Sequence, residues 1–175
     1  IISGEGEENR EIFFEPRNAP MSFKRLSDSE CELHQPPTPN FQLESWTTFK
    51  LSAPHYIDIT FRCRPDQHVF ERGYIGLFWA SYINAPEDKS FYFRGGLPGQ
   101  TRPLWSQFCT QAHNRDSTIR TRKDKFEMTY SDDTRAALYK SFSPMQFDEP
   151  MFYGNFEDHT FIVMLDTDDG LLRLT

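Results

Sequence analysis

The sequence predicts an all-β protein: an antiparallel two-sheet β-sandwich of the jelly-roll type, with at most one short helix. Twelve prolines and nine glycines interrupt the 175 residues at short intervals, which favours many short strands over long helices. Aromatic residues make up 15% of the chain, enough large rings to fill the space between two packed sheets. Several segments also alternate apolar and polar residues with a period of two. An open barrel and half of a larger sandwich stay open as alternatives.

The length fits one domain that can bury a sizeable core. We expect the acidic, glycine-rich residues 1–9 to be a flexible segment and residues 10–175 to form a single β-sandwich domain. Because residues 171–175 are apolar at the very end of the sequence, we also expect this chain to be a piece of a longer protein whose fold continues.

The first third of the chain predicts short strands separated by proline turns. Residues 12–14 and 21–26 are strand-like, and residues 18–20 (Asn-Ala-Pro) form the turn between them. The three prolines of residues 35–40 stiffen a loop and cannot donate to a sheet, which places that loop at an edge or over an opening. Residues 41–51 predict a further strand.

Residues 56–64 show the clearest alternation in the sequence. One face of this predicted strand is apolar and carries Ile57, Ile59, Phe61 and Cys63. We expect it to belong to the core. The opposite face carries Tyr56, Asp58, Thr60, Arg62 and Arg64. That face either meets water or lines a concave polar surface.

Residues 74–83 form the most apolar run, with four aromatic residues and no charge in a chain whose mean hydropathy is −0.67. This composition predicts a central strand covered on both faces. Further along, Phe91 and Phe93 alternate around Tyr92, and residues 94–96 (Arg-Gly-Gly) then turn the chain.

The last third contains the one predicted helix and a predicted hairpin. Residues 131–134 cap a helix that runs to Lys140. The dipeptide Asp169-Gly170 lies between the apolar runs 161–165 and 171–174, which predicts a two-stranded hairpin.

Charge and cysteine usage exclude several classes of function. A net charge of −7 argues against binding to nucleic acid or to an anionic membrane. Cys31, Cys63 and Cys109 are widely spaced, so neither a zinc ribbon nor a thiol redox site is predicted. We expect three buried, inert thiols, with one disulfide as the alternative. The sequence assigns neither a compartment nor an oligomeric state.

No motif in the sequence is diagnostic of catalysis, metal binding or a cofactor. Residues 166–170 differ from a calcium loop because the glycine comes one position early. We therefore predict no metal site and no cofactor.

Aromatic and polar residues together indicate a carbohydrate site. A pyranose packs its apolar C–H face on an aromatic ring, while charged and amide groups bind its hydroxyls. The candidate rings are Trp79, Tyr82, Tyr92 and Trp105. The candidate polar ligands are Asp58, Arg62 and Arg64. The alternative is that Trp79 belongs to the core and that the charges form a solvated face.

Glu32, His34 and Glu44 flank the proline-rich loop and are candidates for acid–base catalysis on a sugar. His113, beside Asn114, is a further candidate, and the neighbours Asp158 and His159 form another acid–base pair. A solvent-exposed histidine without a catalytic role is the alternative in each case.

Three segments resemble a known group of folds: residues 56–62, residues 73–82, and residues 152–154 ahead of 161–166. They are similar to strands of concanavalin-like or galactose-mutarotase-like β-sandwich domains in carbohydrate-active bacterial proteins. The resemblance covers about half the chain and implies a glycan ligand on a concave sheet. No catalytic residue is carried over, because no family motif matches position by position.

The sequence as a whole predicts a carbohydrate-binding or carbohydrate-processing β-sandwich domain. An enzyme of this kind would be a glycoside hydrolase, a lyase or a sugar epimerase. A structural or protein-interaction domain without catalytic activity is the alternative from a different class.

Overall fold

The computed structural model describes residues 14–70, 75–79, 82–84, 86–102, 104–109, 115–127, 141–166 and 172–174. The chain forms two compact units, Ile1–Ala80 and Ser81–Thr175, and each contains one β-sheet. The prediction of an all-β chain with two mostly antiparallel sheets and one short helix is confirmed. The predicted flexible segment 1–9 and the predicted helix 131–140 lie outside the described residues.

The first unit begins with a single helical turn and continues as a four-stranded antiparallel meander. The helix is α1 (Glu15–Asn18), where Pro16 is tolerated because the first helical turn needs no backbone donor. Phe14 precedes this helix, so the strand predicted for residues 12–14 is wrong at Phe14, the only one of them that is described. The strands pair in chain order and are β1 (Ser22–Arg25), β2 (Glu30–Gln35), β3 (Leu43–Ser52) and β4 (Tyr56–Pro65).

The two faces of this first sheet differ in chemistry, as the alternation of residues 56–64 predicted. Directly paired residues share a face, and the β3–β4 register runs without a break from Leu43–Pro65 to Ser52–Tyr56. The polar face of the first sheet carries Glu32, His34, Glu44, Trp46, Asp58, Arg62 and Arg64. The apolar face of the first sheet carries Phe23, Leu33, Phe49, Ile57, Ile59 and Phe61.

The expectation that the apolar face belongs to a core holds only at one end of that face and is wrong for Ile57 and Ile59. The side chain of Ile57 is 60% exposed, and Phe23 and Ile59 are also exposed. The core of this unit lies at the beginning of β3, where Leu43, which is opposite Pro65 on the same face, is buried with Phe41 and Phe70. A period of two identifies residues that share a face, but another layer must be present to bury them.

The second unit holds a six-stranded mixed sheet around one long central strand. Its strands are β5 (Phe91–Gly96), β6 (Leu104–Phe108), β7 (Thr118–Thr121), β8 (Phe142–Phe156), β9 (His159–Met164) and β10 (Arg173–Leu174). The order is β10-β7-β8-β5-β6, with β9 also paired to β8. Strand β8 carries β5 along one edge and β7 followed by β9 along the other. Only the β7–β8 pairing is parallel among the described strands.

The core of the second unit covers one face of this sheet. Phe93, Ile119, Phe147 and Leu174 are buried together there. Gly95 lies where the β5–β8 register shifts, and a β-carbon at this position would be 2.1 Å from the carbonyl oxygen of Gln146. The chain does not turn at residues 94–96 as predicted, because these residues are still part of β5.

Two further predictions for strands are wrong. Residues 75–79 and 82–83 lie outside any strand, with a single bridge at Gly76, and Trp79 and Tyr82 are exposed. The predicted hairpin around Asp169-Gly170 does not form, since β9 pairs with β8 while β10 pairs with β7. The tight hairpin lies earlier, at the two-residue loop of Glu157 and Asp158. Residues 167–171 are outside the described part of the chain.

The three cysteines, all within the described residues, form no disulfide. Cys31 is half-buried, whereas Cys63 and Cys109 are exposed. The expectation of three buried thiols is therefore wrong for two of them, and so is the alternative of one disulfide.

Candidate functional site

The polar face of the first sheet is organised around Trp46 on β3. His34 on β2 and Arg62 on β4 lie directly opposite Trp46 in the two registers. The imidazole stacks at 5.4 Å between ring centroids with an interplanar angle of 17°, and the Arg62 guanidinium lies 5.7 Å from the indole centroid. The indole is therefore flanked on both sides by side chains of the same sheet.

Glu44 joins two of the predicted site residues on this face. One carboxylate oxygen accepts a hydrogen bond from His34 Nε2 at 2.9 Å, and the other accepts one from Arg64 Nη2 at 2.5 Å. Because a carboxylate only accepts, the His34 proton must sit on Nε2. The hydrogen bond from His34, followed by the charge of Arg64, lowers the pKa of Glu44 below its ordinary value. Glu44 is thus ionised at neutral pH.

Glu32 and Glu44, the predicted acid–base pair, lie at different levels of the polar face. Glu32 lies opposite Thr48, four residues from Glu44 along β3, which is about 13 Å at the usual rise per strand residue. Glu32 also pairs with Arg62, its oxygen lying 3.5 Å from Nη2.

Asp58 shares the polar face but lies away from this cluster. It is four residues from Arg62 along β4, and its carboxylate accepts a hydrogen bond from Ser52 Oγ at 2.5 Å. The structure therefore brings together Glu32, His34, Glu44, Arg62 and Arg64, and leaves Asp58 at the other end of the strand.

A second group of predicted residues meets on the sheet of the second unit, on the face opposite its core. We call this the aromatic face; it carries Tyr92, Arg94, Trp105, Gln107 and Tyr153. The rings of Tyr92 and Tyr153 stack at 5.0 Å between centroids, and Trp105 meets Tyr153 edge-on at 5.3 Å. Tyr92 and Trp105 were predicted as site residues; Tyr153 was not, and the β5–β8 register places it opposite Tyr92.

Tyr92 is held in place by an acidic residue. Its hydroxyl donates to Asp88 Oδ2 at 2.7 Å, and the backbone N–H of Ser90 donates to Asp88 Oδ1 at 2.9 Å. The hydrogen bond from Tyr92, followed by those from Ser90, lowers the pKa of Asp88. The same bond to Asp88 raises the pKa of Tyr92. The pair is therefore a carboxylate and a neutral phenol at neutral pH, which fixes the ring.

Trp105 is the most accessible ring of the aromatic face, with 52% of its surface exposed. It lies on β6, the edge strand, so only one side of the ring faces a neighbouring strand among the described residues. On that side the Arg94 guanidinium is 5.9 Å from the indole centroid, and Arg94 Nε lies 3.3 Å from Glu149 Oε1. The arrangement is an open ring beside an ion pair.

The remaining predicted rings lie elsewhere. Trp79 is 6.3 Å from Phe49, a residue of the apolar face of the first sheet, and Tyr82 is almost fully exposed. His113 lies outside the described residues, and the contact of His159 Nδ1 with Asp158 Oδ1 at 2.6 Å is a solvent-exposed pair.

Other features of the described residues add no further candidate. An open depression of about 510 Å³ at the β3–β4 turn is lined by residues 51–57 and contains none of the predicted site residues. The described part of the chain holds no group of three His, Cys, Asp or Glu side chains suited to a metal ion. A helix with the length and apolar character of a membrane span is not found in it either.

No protein-family model, curated protein or solved structure matches this chain. The resemblance to concanavalin-like and galactose-mutarotase-like domains therefore stays a prediction.

Proposed function

We propose that this chain binds carbohydrate, and that the aromatic face of the second unit is the site. The observation that supports the proposal is the half-exposed indole of Trp105 on an edge strand, in contact with Tyr153 and beside the Arg94–Glu149 ion pair. The ring offers a flat apolar surface to the C–H face of a pyranose. The guanidinium and the carboxylate offer donors and acceptors for its hydroxyls.

The polar face of the first sheet supports sugar stacking less well. Its indole, Trp46, already has His34 on one side and Arg62 on the other. A sugar ring would have to displace one of these side chains before it touched the indole. Trp105 requires no such rearrangement.

Binding is favoured over processing of the sugar. Both oxygens of Glu44 are engaged by His34 and Arg64, and Glu32 is paired with Arg62. General acid–base catalysis requires a group that exchanges a proton with the substrate. Glu32 and Glu44 are instead held in ion pairs.

The test is binding of neutral and acidic oligosaccharides to the full chain, by glycan array followed by titration calorimetry on each hit. Trp105→Ala removes the open ring and is the decisive variant. Trp79→Ala is the matched control, because Trp79 is 50% exposed and contacts a different sheet. Covering about 50–100 Å² of ring surface is worth about 1–3 kcal/mol. We therefore expect Trp105→Ala to weaken binding about 10- to 100-fold.

Unchanged affinity in Trp105→Ala would contradict the proposed site. The absence of binding to any sugar by the correctly folded chain would contradict the function. Equal losses in Trp105→Ala and Trp79→Ala would show a general effect of removing a ring and not a site.

A protein-interaction domain is the second candidate, and a different observation favours it. The apolar face of the first sheet leaves Leu51, Ile57 and Ile59 exposed next to one another on the paired strands β3 and β4. Apolar surface of this kind marks protein interaction sites. Its test is association of the full chain in solution.

A further inference from the structure

Strand β4 is a long and regular edge strand with an open outer edge. It spans Tyr56–Pro65 and pairs only with β3 among the described residues. Nine of its ten residues are exposed, and Phe61 is half-buried. The opposite edge strand, β1, has four residues, two of which are Lys24 and Arg25. Short, charged edge strands are protected against pairing, whereas a long exposed edge presents a row of N–H and C=O groups that can pair with another strand.

The hydrogen bonds identify the backbone groups that point outward from β4. Asp66 N donates to Gln42 O at 2.7 Å, which extends the β3–β4 ladder by one hydrogen-bonded pair. Hydrogen-bonded pairs alternate along an antiparallel ladder, so the even-numbered residues of β4 bond to β3. The odd-numbered residues then direct their N–H and C=O groups outward; within the strand these are Ile57, Ile59, Phe61 and Cys63. Pro65, which has no N–H, continues this outward series.

We infer that β4 pairs with β4 of a second copy of this chain, antiparallel about a two-fold axis through Thr60. The sequence of the strand is self-complementary in that register. The pairs across the axis are Asp58 with Arg62, Tyr56 with Arg64, Ile59 with Phe61, and Ile57 with Cys63. Opposite charges, a cation and a ring, and apolar side chains thus face one another on the correct sides of the joined sheets. Each outward-facing pair exchanges two backbone hydrogen bonds.

The neighbouring registers match less well. With the axis at Phe61, Arg62 faces Thr60, and Ile57 faces Pro65, which has no N–H to return. With the axis at Ile59, Asp58 faces Thr60 and Arg64 faces a residue beyond the strand. An interface of this kind is isologous and closes as a dimer, so it does not propagate into fibres.

The inference is independent of sugar binding. For the protein-interaction function it names the partner, a second copy of this chain. Its test is the mass of the full chain in solution, measured by analytical ultracentrifugation over a wide range of concentrations. Wild type is expected to form a dimer. Ile59→Pro removes an outward N–H and leaves the β3–β4 ladder intact, so it should raise the dimer dissociation constant at least about tenfold.

Phe23→Pro is the matched control on the other edge of the sheet. Leu26 N donates to Glu30 O, so the odd-numbered residues of β1 also point outward, and Phe23 is exposed like Ile59. This variant should dimerise like wild type. A chain that is monomeric at every concentration would overturn the inference while leaving the sugar proposal standing. So would a dimer that tolerates Ile59→Pro.

A charge exchange tests the register. Asp58→Arg and Arg62→Asp each place like charges across the axis and should weaken the dimer, while the double variant should restore it. Combining Asp58→Arg with Arg64→Asp should not restore the dimer, because the like charges at positions 58 and 62 remain. Because Thr60 faces its own copy in a non-hydrogen-bonded pair, its α-carbons are about 4.5 Å apart, within reach of a disulfide. Thr60→Cys in a Cys63→Ser background should therefore give a covalent dimer on oxidation.

Failure of both the charge rescue and the Thr60→Cys cross-link would overturn the proposed register. Far-UV circular dichroism of every variant identifies any that has lost its fold. If Ile59→Pro is one of these, the charge exchange decides the inference.

Discussion

Asp124 and Arg173 form a buried ion pair that holds the last strand of the second unit. Arg173 Nε lies 2.9 Å from Asp124 Oδ2, and the two side chains are 11% and 0% exposed. The same carboxylate accepts a hydrogen bond from Phe126 N at 3.0 Å, and Arg173 Nη2 donates to Phe126 O at 3.2 Å. Leu174, the next residue, fills the core beside Ile119. The ion pair therefore fixes the strand that delivers a core side chain.

Arg173→Met leaves the Asp124 carboxylate buried without its counter-charge, which costs about 3–5 kcal/mol for a buried pair. Asp124→Asn keeps the shape and removes the opposite charge, and we expect a similar loss. The double variant no longer contains an isolated buried charge. Its loss should fall short of the sum of the two single losses by about 2 kcal/mol, within the range for residues in contact.

The assay is urea unfolding of the wild type, both single variants and the double variant, with hydrogen exchange of the β10 amides as a local readout. Arg25→Met is the control, because the Arg25–Asp28 ion pair is 66% and 99% exposed and should contribute at most about 1 kcal/mol. The reasoning is refuted if Arg173→Met destabilises no more than Arg25→Met, or if the two single losses simply add.

Two further predictions concern Gly95 and Glu44. Gly95→Ala places a β-carbon 2.1 Å from the Gln146 carbonyl oxygen and should cost about 3 kcal/mol or more. Gly154→Ala, whose β-carbon would lie 3.5 Å from the nearest atom, should change the unfolding midpoint little; equal effects of the two variants would count against the packing at Gly95. Because the hydrogen bond from His34 lowers the pKa of Glu44, the stabilisation is present above the ordinary pKa of 4.5 and is lost as the pH falls through the lower folded value. In urea titrations at several pH values, the free energy of unfolding of wild type should exceed that of Glu44→Gln by the largest amount near neutral pH. A difference in this free energy that grows as the pH is lowered would contradict the prediction.

Local patterns in the sequence predicted some of the strands but not the neighbours of each strand. The alternation of residues 56–64 identified β4 and the residues on each of its faces, because the period of two is a property of the backbone. It did not show that Ile57 and Ile59 are exposed, because burial depends on a layer supplied by distant residues. The same limit applies to residues 74–83, where the composition favours a strand but Gly76 makes a single bridge.

The predicted hairpin at Asp169-Gly170 failed for a related reason. Turn residues indicate where a chain can reverse, and Asp-Gly is a strong signal of this kind. The two-residue loop at Glu157 and Asp158, which has no glycine, instead joins β8 to β9. Glu157 has a positive φ of 52° that an ordinary side chain seldom adopts. With β9 paired to β8, β10 pairs with β7, a connection that no local signal in the sequence reveals.

The sequence identified candidate site residues by their chemical type. The order of the strands in the sheet decides which of them lie together. Glu32, His34 and Glu44 were chosen for their proximity to the proline-rich loop, and the β2–β3 pairing does bring His34 and Glu44 into contact. Trp46, which His34 and Arg62 flank, was missed because its partners come from two different strands. Only the β2–β3 and β3–β4 registers show that Trp46 lies between His34 and Arg62.

The two units contain the same chemical pair in different positions, and the difference explains why one ring is proposed as a binding surface and the other is not. Trp46 and Trp105 each lie directly opposite an arginine of the adjacent strand, Arg62 and Arg94 respectively. Trp46 belongs to an interior strand, so a second neighbour, His34, covers its other side. Trp105 belongs to an edge strand, and among the described residues no strand follows it. In these two sheets the place of the strand therefore decides whether a second neighbouring side chain covers the ring: one does on the interior strand β3, and none does on the edge strand β6 among the described residues.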